Sequence, residues 1–577
     1  MKVKNYYGMN EEQYEEMKLF YEKLGFEKKQ VKKLCKKCFG ADIRKTSKER
    51  YRPDWTFYRK KEFLPPVGRM VADEDGAMPP ALMGGAMMGM NAMASCRMSG
   101  FMGAAPACMM PMMEPPEFNT AETHDVPENE QHSPLDEAQL IFSANVNTAS
   151  WDHLRSHIMR NEPIDRSFVR IEEIINSYRY DLKKPSKEDL FSVEAENGKC
   201  PWDEASELLF LGFKGRKAKK SCRQNLALLV DVSGSMEDNW ILTQMSIAAI
   251  VSKLKKGDTL SIIAYSDKTT TVAKKLDGGD MDKCVDAIMD IDGVGGCTNG
   301  SEGLNNAYQY LADNYDQDGN NRVFIFTDGD FNFGITAEGG LKGFIEEKRK
   351  TGIYLSIVGY GENNFKDNKM ETLARNGNGN YTFISNPYDI LDNLWEKLVS
   401  NLVTVAKNVK ISVELNPAYV SEYRLIGYDD RMLTQQEFHD TEKAVDGIGS
   451  QHNVVALIQL KRGKAEKQFT NRYVKVDAVE QTDEFAFVEV HYQSPEGENL
   501  VMTRTITVKE LEGSESNNLT VAGMLAGFGM LVKDSDYKGK MDKALLQELL
   551  KKAEKAEEVD TPVPYSHFDV AGKYVKS

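Results

Sequence analysis

Leu228-Leu229-Val230-Asp231-Val232-Ser233-Gly234-Ser235-Met236 is the stretch that decides how this chain folds. The leading apolar residues read as the end of a buried strand. Asp231, Ser233 and Ser235 then present one carboxylate and two hydroxyls at alternate positions of the following loop. Gly234 between the serines relieves crowding, so that the oxygens can approach a single point. In doubly wound sheets the ligand crevice lies beyond the carboxyl ends of the strands, where the winding reverses. Asp231 is therefore expected at such an edge.

On either side of this segment, apolar strands alternate with helices from Asn225 to about Asn408. LALLVDV, TLSIIAYS, VFIFT and IYLSIVGYG are strands, separated by helices around ILTQMSIAAIVSKL, MDKCVDAIMDI and LKGFIEEKRK. That alternation predicts a mainly parallel sheet with helices on both faces. TTTVAKKL follows TLSIIAYS after only Asp267 and Lys268, a spacing that permits a hairpin, so it is expected as the antiparallel edge strand. A long helix is expected over 390–406. Two further segments reach the edge that holds Asp231: GVGGCTNG offers Thr298, and VFIFTDGD delivers Asp328. Three hydroxyls and two carboxylates form an oxygen-only donor set of low charge, which suits a hard cation such as Mg²⁺ or Mn²⁺.

At these residues the sequence resembles the von Willebrand factor type A (vWA) domain, whose metal-ion-dependent adhesion site (MIDAS) reads Asp-x-Ser-x-Ser, then Thr, then Asp. The resemblance implies direct coordination by Ser233, Ser235 and Thr298, with Asp231 and Asp328 acting directly or through water. It implies a protein-binding module, not an enzyme, in which an Asp or Glu of a partner fills the open metal position. Met236, Trp240, Phe331 and Phe333 are candidate rim residues for that partner, with core packing as their alternative role. A closer resemblance, to bacterial proteins of the YfbK-like type, runs from about Leu140 to Lys540 through IFSANVNTASW, VRIEEIINSYRYD, CPWDEAS, TDGDFNFGIT, RNGNGNY, NPAYVSEYRLIGYDDR and GFGMLVKDSDYKG. Many such relatives are exported lipoproteins. No signal peptide, lipid-bearing cysteine or spanning helix is readable here, and eight irregularly spaced cysteines suit a reducing compartment. A cytoplasmic location is the expectation.

A chain of 577 residues exceeds one core, since domains cluster near ~100 to 200 residues. Residues 1–62 read as a basic helical module, and 63–138 as a Met-, Gly- and Pro-rich linker of disordered composition. Residues 139–224 read as the first part of an antiparallel β-sandwich, resembling the N-terminal region of von Willebrand factor proteins. The vWA domain occupies 225–408 as an insertion. Residues 409–577 supply the remaining sandwich, with period-two runs VKISVEL, HNVVALIQL, RYVKVDAV, FAFVEVHY and VMTRTITV, and two terminal helices. The expected class is thus α/β: a doubly wound, Rossmann-like vWA domain inserted in a β-sandwich, between an N-terminal helical module and C-terminal helices.

The net charge of −15 argues against the whole chain as a nucleic-acid binder. The exception is local, because residues 1–60 hold 17 Lys and Arg against 9 Asp and Glu. The basic stretch 28–37 reads as a solvated helix face, with nucleic acid or anionic membrane as its sharper alternatives. A second function class stays open: a metal-dependent hydrolase, or a copper handler using the 13 of 27 methionines between Met70 and Met113. None of the eight histidines lies between Asn225 and Asn408, which excludes a Ser-His-Asp triad within that domain. His153 and His157 lack the Glu of an HExxH helix and read as surface residues. Asn314, Asp316, Asp318 and Gly319 imitate a calcium loop, but Ile325 stands where a Glu is needed, so a polar turn is expected. Cys35 and Cys38 form a lone CxxC.

Overall fold

A computed structural model describes residues 11–40 and, from 127 to 577, all but a set of stretches of which the longest are 218–222, 292–299, 330–337, 361–369, 395–403, 466–481 and 560–564. Thr298, Phe331, Phe333, the expected strand at 472–479 and the Met-rich tract as far as residue 126 lie outside the described residues.

The central unit is a six-stranded sheet. Its strands are β4 (Arg223–Asp231), β5 (Thr259–Tyr265), β6 (Thr269–Asp277), β7 (Gly319–Thr327), β8 (Ile353–Tyr360) and β9 (Tyr381–Ile384). Across the sheet they run in the order β6-β5-β4-β7-β8-β9. All neighbours are parallel except β6, which pairs antiparallel with β5 at the edge, as the short connection predicts. Both faces of β4 are buried: Leu226, Leu228 and Val230 join the apolar cluster under helices α5 (Trp240–Val251) and α6 (Met281–Met289). Ala227 and Leu229 join the opposite cluster, under α7 (Gly300–Asp313) and α8 (Glu338–Lys350). Burial on both faces explains why these strands read as continuous apolar runs.

Two antiparallel sheets form the sandwich. The strands before the central unit are β1 (Leu140–Ser143), β2 (Phe191–Lys199) and β3 (Glu207–Gly215). Those after it are β10 (Thr404–Leu415), β11 (Val420–Ile426), β12 (Ile448–Gly449), β13 (Asn453–Arg462), β14 (Glu484–Gln493) and β15 (Asn499–Thr507). One sheet is ordered β1-β10-β14-β15 with β12 paired to β10, and the other β11-β13-β3-β2. Residues from both sides of the central unit interleave: β1 pairs with β10, and β3 with β13. The central unit is therefore inserted in the sandwich. Exit and return lie together, since a Cβ built on Gly215, the last residue of β3, would come within 3.3 Å of Val405 at the start of β10.

Alternate residues of β3 serve two cores. Leu209, Leu211 and Phe213 face the second sheet, whereas Leu208 and Phe210 face a helical layer. That layer contains α3 (Ala149–Arg160), α4 (Ile171–Ser177) and the C-terminal helices Asn517–Lys533, Lys543–Ala556 and His567–Lys576. Asn517–Lys533 is apolar nearly all round because its neighbours surround it.

Several expectations are corrected. The helix expected over 390–406 cannot reach its end, because Thr404 already begins β10. His153 is 5% exposed and lies against Phe168 and Phe383, which holds its imidazole near a pKa of about 3 through burial first, so it is not a surface residue. The expected solvated basic face holds for the described lysines, since Lys28, Lys29, Lys32 and Lys33 are exposed; it is the other side of helices α1 (Glu11–Lys23) and α2 (Lys28–Gly40) that buries Phe20, Tyr21, Val31, Leu34 and Cys35 in the cluster that includes α6. Asp316 and its neighbours form the expected polar turn, in which Arg223 Nε and Nη2 each donate to the Asp316 carboxylate at 2.8 Å.

Candidate metal centre

β4 is the switch point of the sheet. The chain leaves it through α5 to β5 on one side, and after β6 crosses to β7 on the other. Parallel register sets Asp231 beside Tyr265 of β5, and its neighbour Val230 beside Phe326 of β7. The strand is apolar from Leu226 to Val230, each fully buried, so the Asp231 carboxylate stands at the first polar position beyond the core.

Asp231 is itself 0% exposed and is held by three donors. The Ser233 amide donates to Oδ1 at 2.9 Å; Tyr265 Oη and Thr327 Oγ1 donate to Oδ2 at 3.0 and 3.2 Å. This fixes the carboxylate at the strand end. The chain then turns through the short 3-10 segment Gly234–Glu237, entered from Ser233 in an extended conformation. That turn brings Ser233 Oγ and Ser235 Oγ to 3.1 Å of each other, with Ser233 buried and Ser235 exposed. Asp328 follows β7 directly and is 8% exposed. Gly329 after it has φ 95°, in the left-handed region where a glycine is favoured, and its amide donates to Thr327 Oγ1 at 3.2 Å. The Thr-Asp-Gly order thus turns the chain while orienting the Thr327 hydroxyl.

Four of the expected ligands can be placed. Asp231, Ser233 and Ser235 converge, and Asp328 is near enough for its charge to act on Asp231. Thr298 lies outside the described residues, two positions before Gly300 at the start of α7. The first turn of α7 packs beside the site, since a Cβ on Gly303 would meet Leu229 Cδ1 at 3.0 Å and Tyr265 Cβ at 3.1 Å. Tyr265 and Thr327 are the positioning residues that motif reading passes over. Tyr265 ends an apolar strand, and only its register beside Asp231 betrays its role. Two proposed rim residues are corrected: Met236 and Trp240 are 0% and 5% exposed and belong to the core under α5.

The electrostatics fit a cation. Burial, foremost, and the charge of Asp328 push the Asp231 carboxyl above its usual range, while hydrogen bonds from Ser233 and Tyr265 pull it back in part. Burial and the Asp231 charge keep the Tyr265 hydroxyl protonated, as a donor must be. Two carboxylates, of which Asp231 is held above its usual range, stand among neutral hydroxyls and are short of positive charge. Oxygen donors of this kind fit a hard divalent ion. Among the described residues no three His, Cys, Asp or Glu side chains stand at metal-ligand spacing, so the hydroxyls are needed to complete any such site.

A family model for the von Willebrand factor type A domain matches residues 225–397, one described as von Willebrand factor matches 117–210, and one described as the C-terminal part of uncharacterized protein YfbK matches 400–563. The chain is 29% identical over 411 residues to the uncharacterized protein YfbK of Escherichia coli (strain K12), covering 69% of this chain and 71% of that protein. Among solved structures it is similar to a von Willebrand factor type A protein from Catenulispora acidiphila, at 11% identity and TM-score 0.37, covering 67% of this chain and 95% of that one. It is also similar to the ArnB paralog VWA2 from Sulfolobus acidocaldarius, at 13% identity and TM-score 0.32, covering 67% and 98%. The sheet order, the family models on either side of residue 400 and the likeness to YfbK agree: residues 225–397 match the von Willebrand factor type A domain, 400–563 match the C-terminal part of YfbK, and the chain is similar to YfbK.

Proposed function

We propose that this protein is a metal-dependent protein-interaction module, in which Asp231, Ser233, Ser235, Thr298 and Asp328 hold one Mg²⁺ or Mn²⁺ at the C-terminal edge of the sheet. Type A domains are commonly modules of this kind. The observation that carries the reading is the convergence of a buried, triply hydrogen-bonded Asp231 with two hydroxyls 3.1 Å apart, beside a second carboxylate. Such a cation supplies a charged contact for an Asp or Glu of a partner protein, because neutral hydroxyl ligands leave it electrophilic. The chain's own part is to orient: Tyr265 and Thr327 fix Asp231, and the Gly234–Glu237 turn aims the serines. A single metal contact gives orientation with little area, so a surrounding surface must add affinity and specificity. The buried thiols of Cys35, Cys200 and Cys284 support a reducing cytoplasm as the site of action.

Pull-down from cell extract with the full chain as bait tests this reading. Prey retained in Mg²⁺ and lost both in chelator and with Asp231→Ala is the expected result. Prey retained equally under all three conditions would make the interaction independent of this site.

A further inference from the structure

The N-terminal hairpin meets the vWA domain through two kinds of contact. α2 faces α6 with Val31, Leu34 and Cys35, each 2% exposed or less, while Met17, Phe20 and Tyr21 of α1 are fully buried in the same apolar cluster. Leu276 of β6 and Met281 and Met289 of α6 pack against that cluster. Around this apolar seam the charges are complementary. Gln30 Nε2 donates to Asp282 Oδ1 at 2.9 Å, Lys29 Nζ lies 3.8 Å from Asp282 Oδ2, and Lys33 pairs with Asp286. Lys29 and Lys33 stand one helical turn apart on α2, as Asp282 and Asp286 do on α6, so two helices meet with matched spacing.

We propose that the α6–β6 face is a docking surface for a basic amphipathic helix, and that residues 11–40 of the same chain occupy it as an exchangeable internal ligand. One feature makes the occupant exchangeable. The ion pairs are exposed, with Lys29 and Asp282 at 85% and 60% and Lys33 and Asp286 at 45% and 50%, so salt screens them. A competing helix of the same chemistry, basic on one face and apolar on the other, must displace the hairpin to bind. The acidic, apolar α6 face is thereby kept covered by its own chain.

The test uses a fluorescent peptide of residues 11–40 added in trans to the full-length protein. Lys29→Glu with Lys33→Glu opens the internal contact, and the peptide should bind that chain at least tenfold more tightly than wild type, with affinity falling several-fold between low and high salt. Asp282→Lys with Asp286→Lys should abolish binding of this peptide. A peptide carrying Lys29→Asp and Lys33→Asp should bind the Asp282→Lys, Asp286→Lys chain again, which separates lost complementarity from lost folding. Equal peptide binding to wild type and to the opened chain, or no rescue by the exchanged charges, would overturn the proposal. A wild-type chain that is dimeric at low salt, and monomeric once Lys29 and Lys33 are reversed, would overturn the intramolecular assignment and give the surface to a second copy's hairpin.

Discussion

Tyr265 Oη donates a 3.0 Å hydrogen bond to Asp231 Oδ2, tying the last residue of β5 to the last residue of β4. Tyr265 is fully buried, and its hydroxyl shares that oxygen with Thr327. Tyr265→Phe keeps the ring and removes the donor. The loss should cost about 1.5–3 kcal/mol of stability, as for a hydrogen bond to a charged group. It should also weaken metal binding several-fold, since Asp231 would be less firmly aimed. Urea denaturation and metal titration of the variant measure the two effects; unchanged values in both would deny Tyr265 a positioning role.

The vWA domain is anchored to the sandwich side by a buried ion pair. Arg155 Nη2 in α3 donates to Asp389 Oδ1 at 2.5 Å and to Asp152 Oδ1 at 2.9 Å, with all three side chains 2% exposed or less. Asp389 Oδ2 also accepts from the Ser385 and Asn386 amides at 2.7 and 3.0 Å. Removing one partner of a buried pair typically costs about 3–5 kcal/mol. Asp389→Ala is therefore expected to lower the denaturation midpoint markedly, and a midpoint within error of wild type would contradict the anchor.

Glu172, 1% exposed in α4, gives a pH signature. Burial first, then the charges of Asp430 and Asp429, push its carboxyl up to about 7, against the pull of the Tyr428 amide and Arg170. Its folded pKa stands above the unfolded value, so the native state holds the proton more tightly. The contribution to stability is full below about 4.5, declines as pH rises toward 7, and is lost above it. The span is about 3 kcal/mol at most. Glu172→Gln imitates the protonated form and should flatten this dependence and raise stability at pH 8. An unaltered pH profile in chemical denaturation would count against it.

The interleaved sheets make the C-terminal third dependent on the N-terminal part. β3 lies between β13 and β2, and without it the apolar run Val454–Ile458 of β13 becomes an open edge. Residues 409–577 expressed alone should aggregate. Co-expression with 127–224 should restore solubility. A soluble, cooperatively unfolding 409–577 fragment would show that β3 is dispensable.

The vWA sheet was legible because its strands are apolar on both faces and its polar ligands fall in strand-end loops, as in Val230-Asp231 and Thr327-Asp328. β6 announced itself through the two-residue connection Asp267-Lys268. β2 and β3 carried weaker signals. Phe191–Lys199 contains Glu194, Glu196, Asn197 and Gly198, and Glu207–Gly215 is apolar on successive residues because it serves two cores. For Met236 and Trp240 the sequence left rim and core open, because proximity to Ser235 says nothing of direction; both are buried in the core, Met236 from the 3-10 turn and Trp240 from the first position of α5. The lysines of α2 showed their charge but not their partners, since Asp282 and Asp286 lie far away in sequence, like the 252 positions that separate Gln30 from Asp282.

Calorimetric titration of Mg²⁺ or Mn²⁺ into the full-length protein tests the central claim most directly. One site per chain is expected in wild type, with affinity falling at least tenfold in Asp231→Ala and in Asp328→Ala while thermal unfolding stays cooperative. No binding by wild type, or wild-type affinity in both variants, would contradict it.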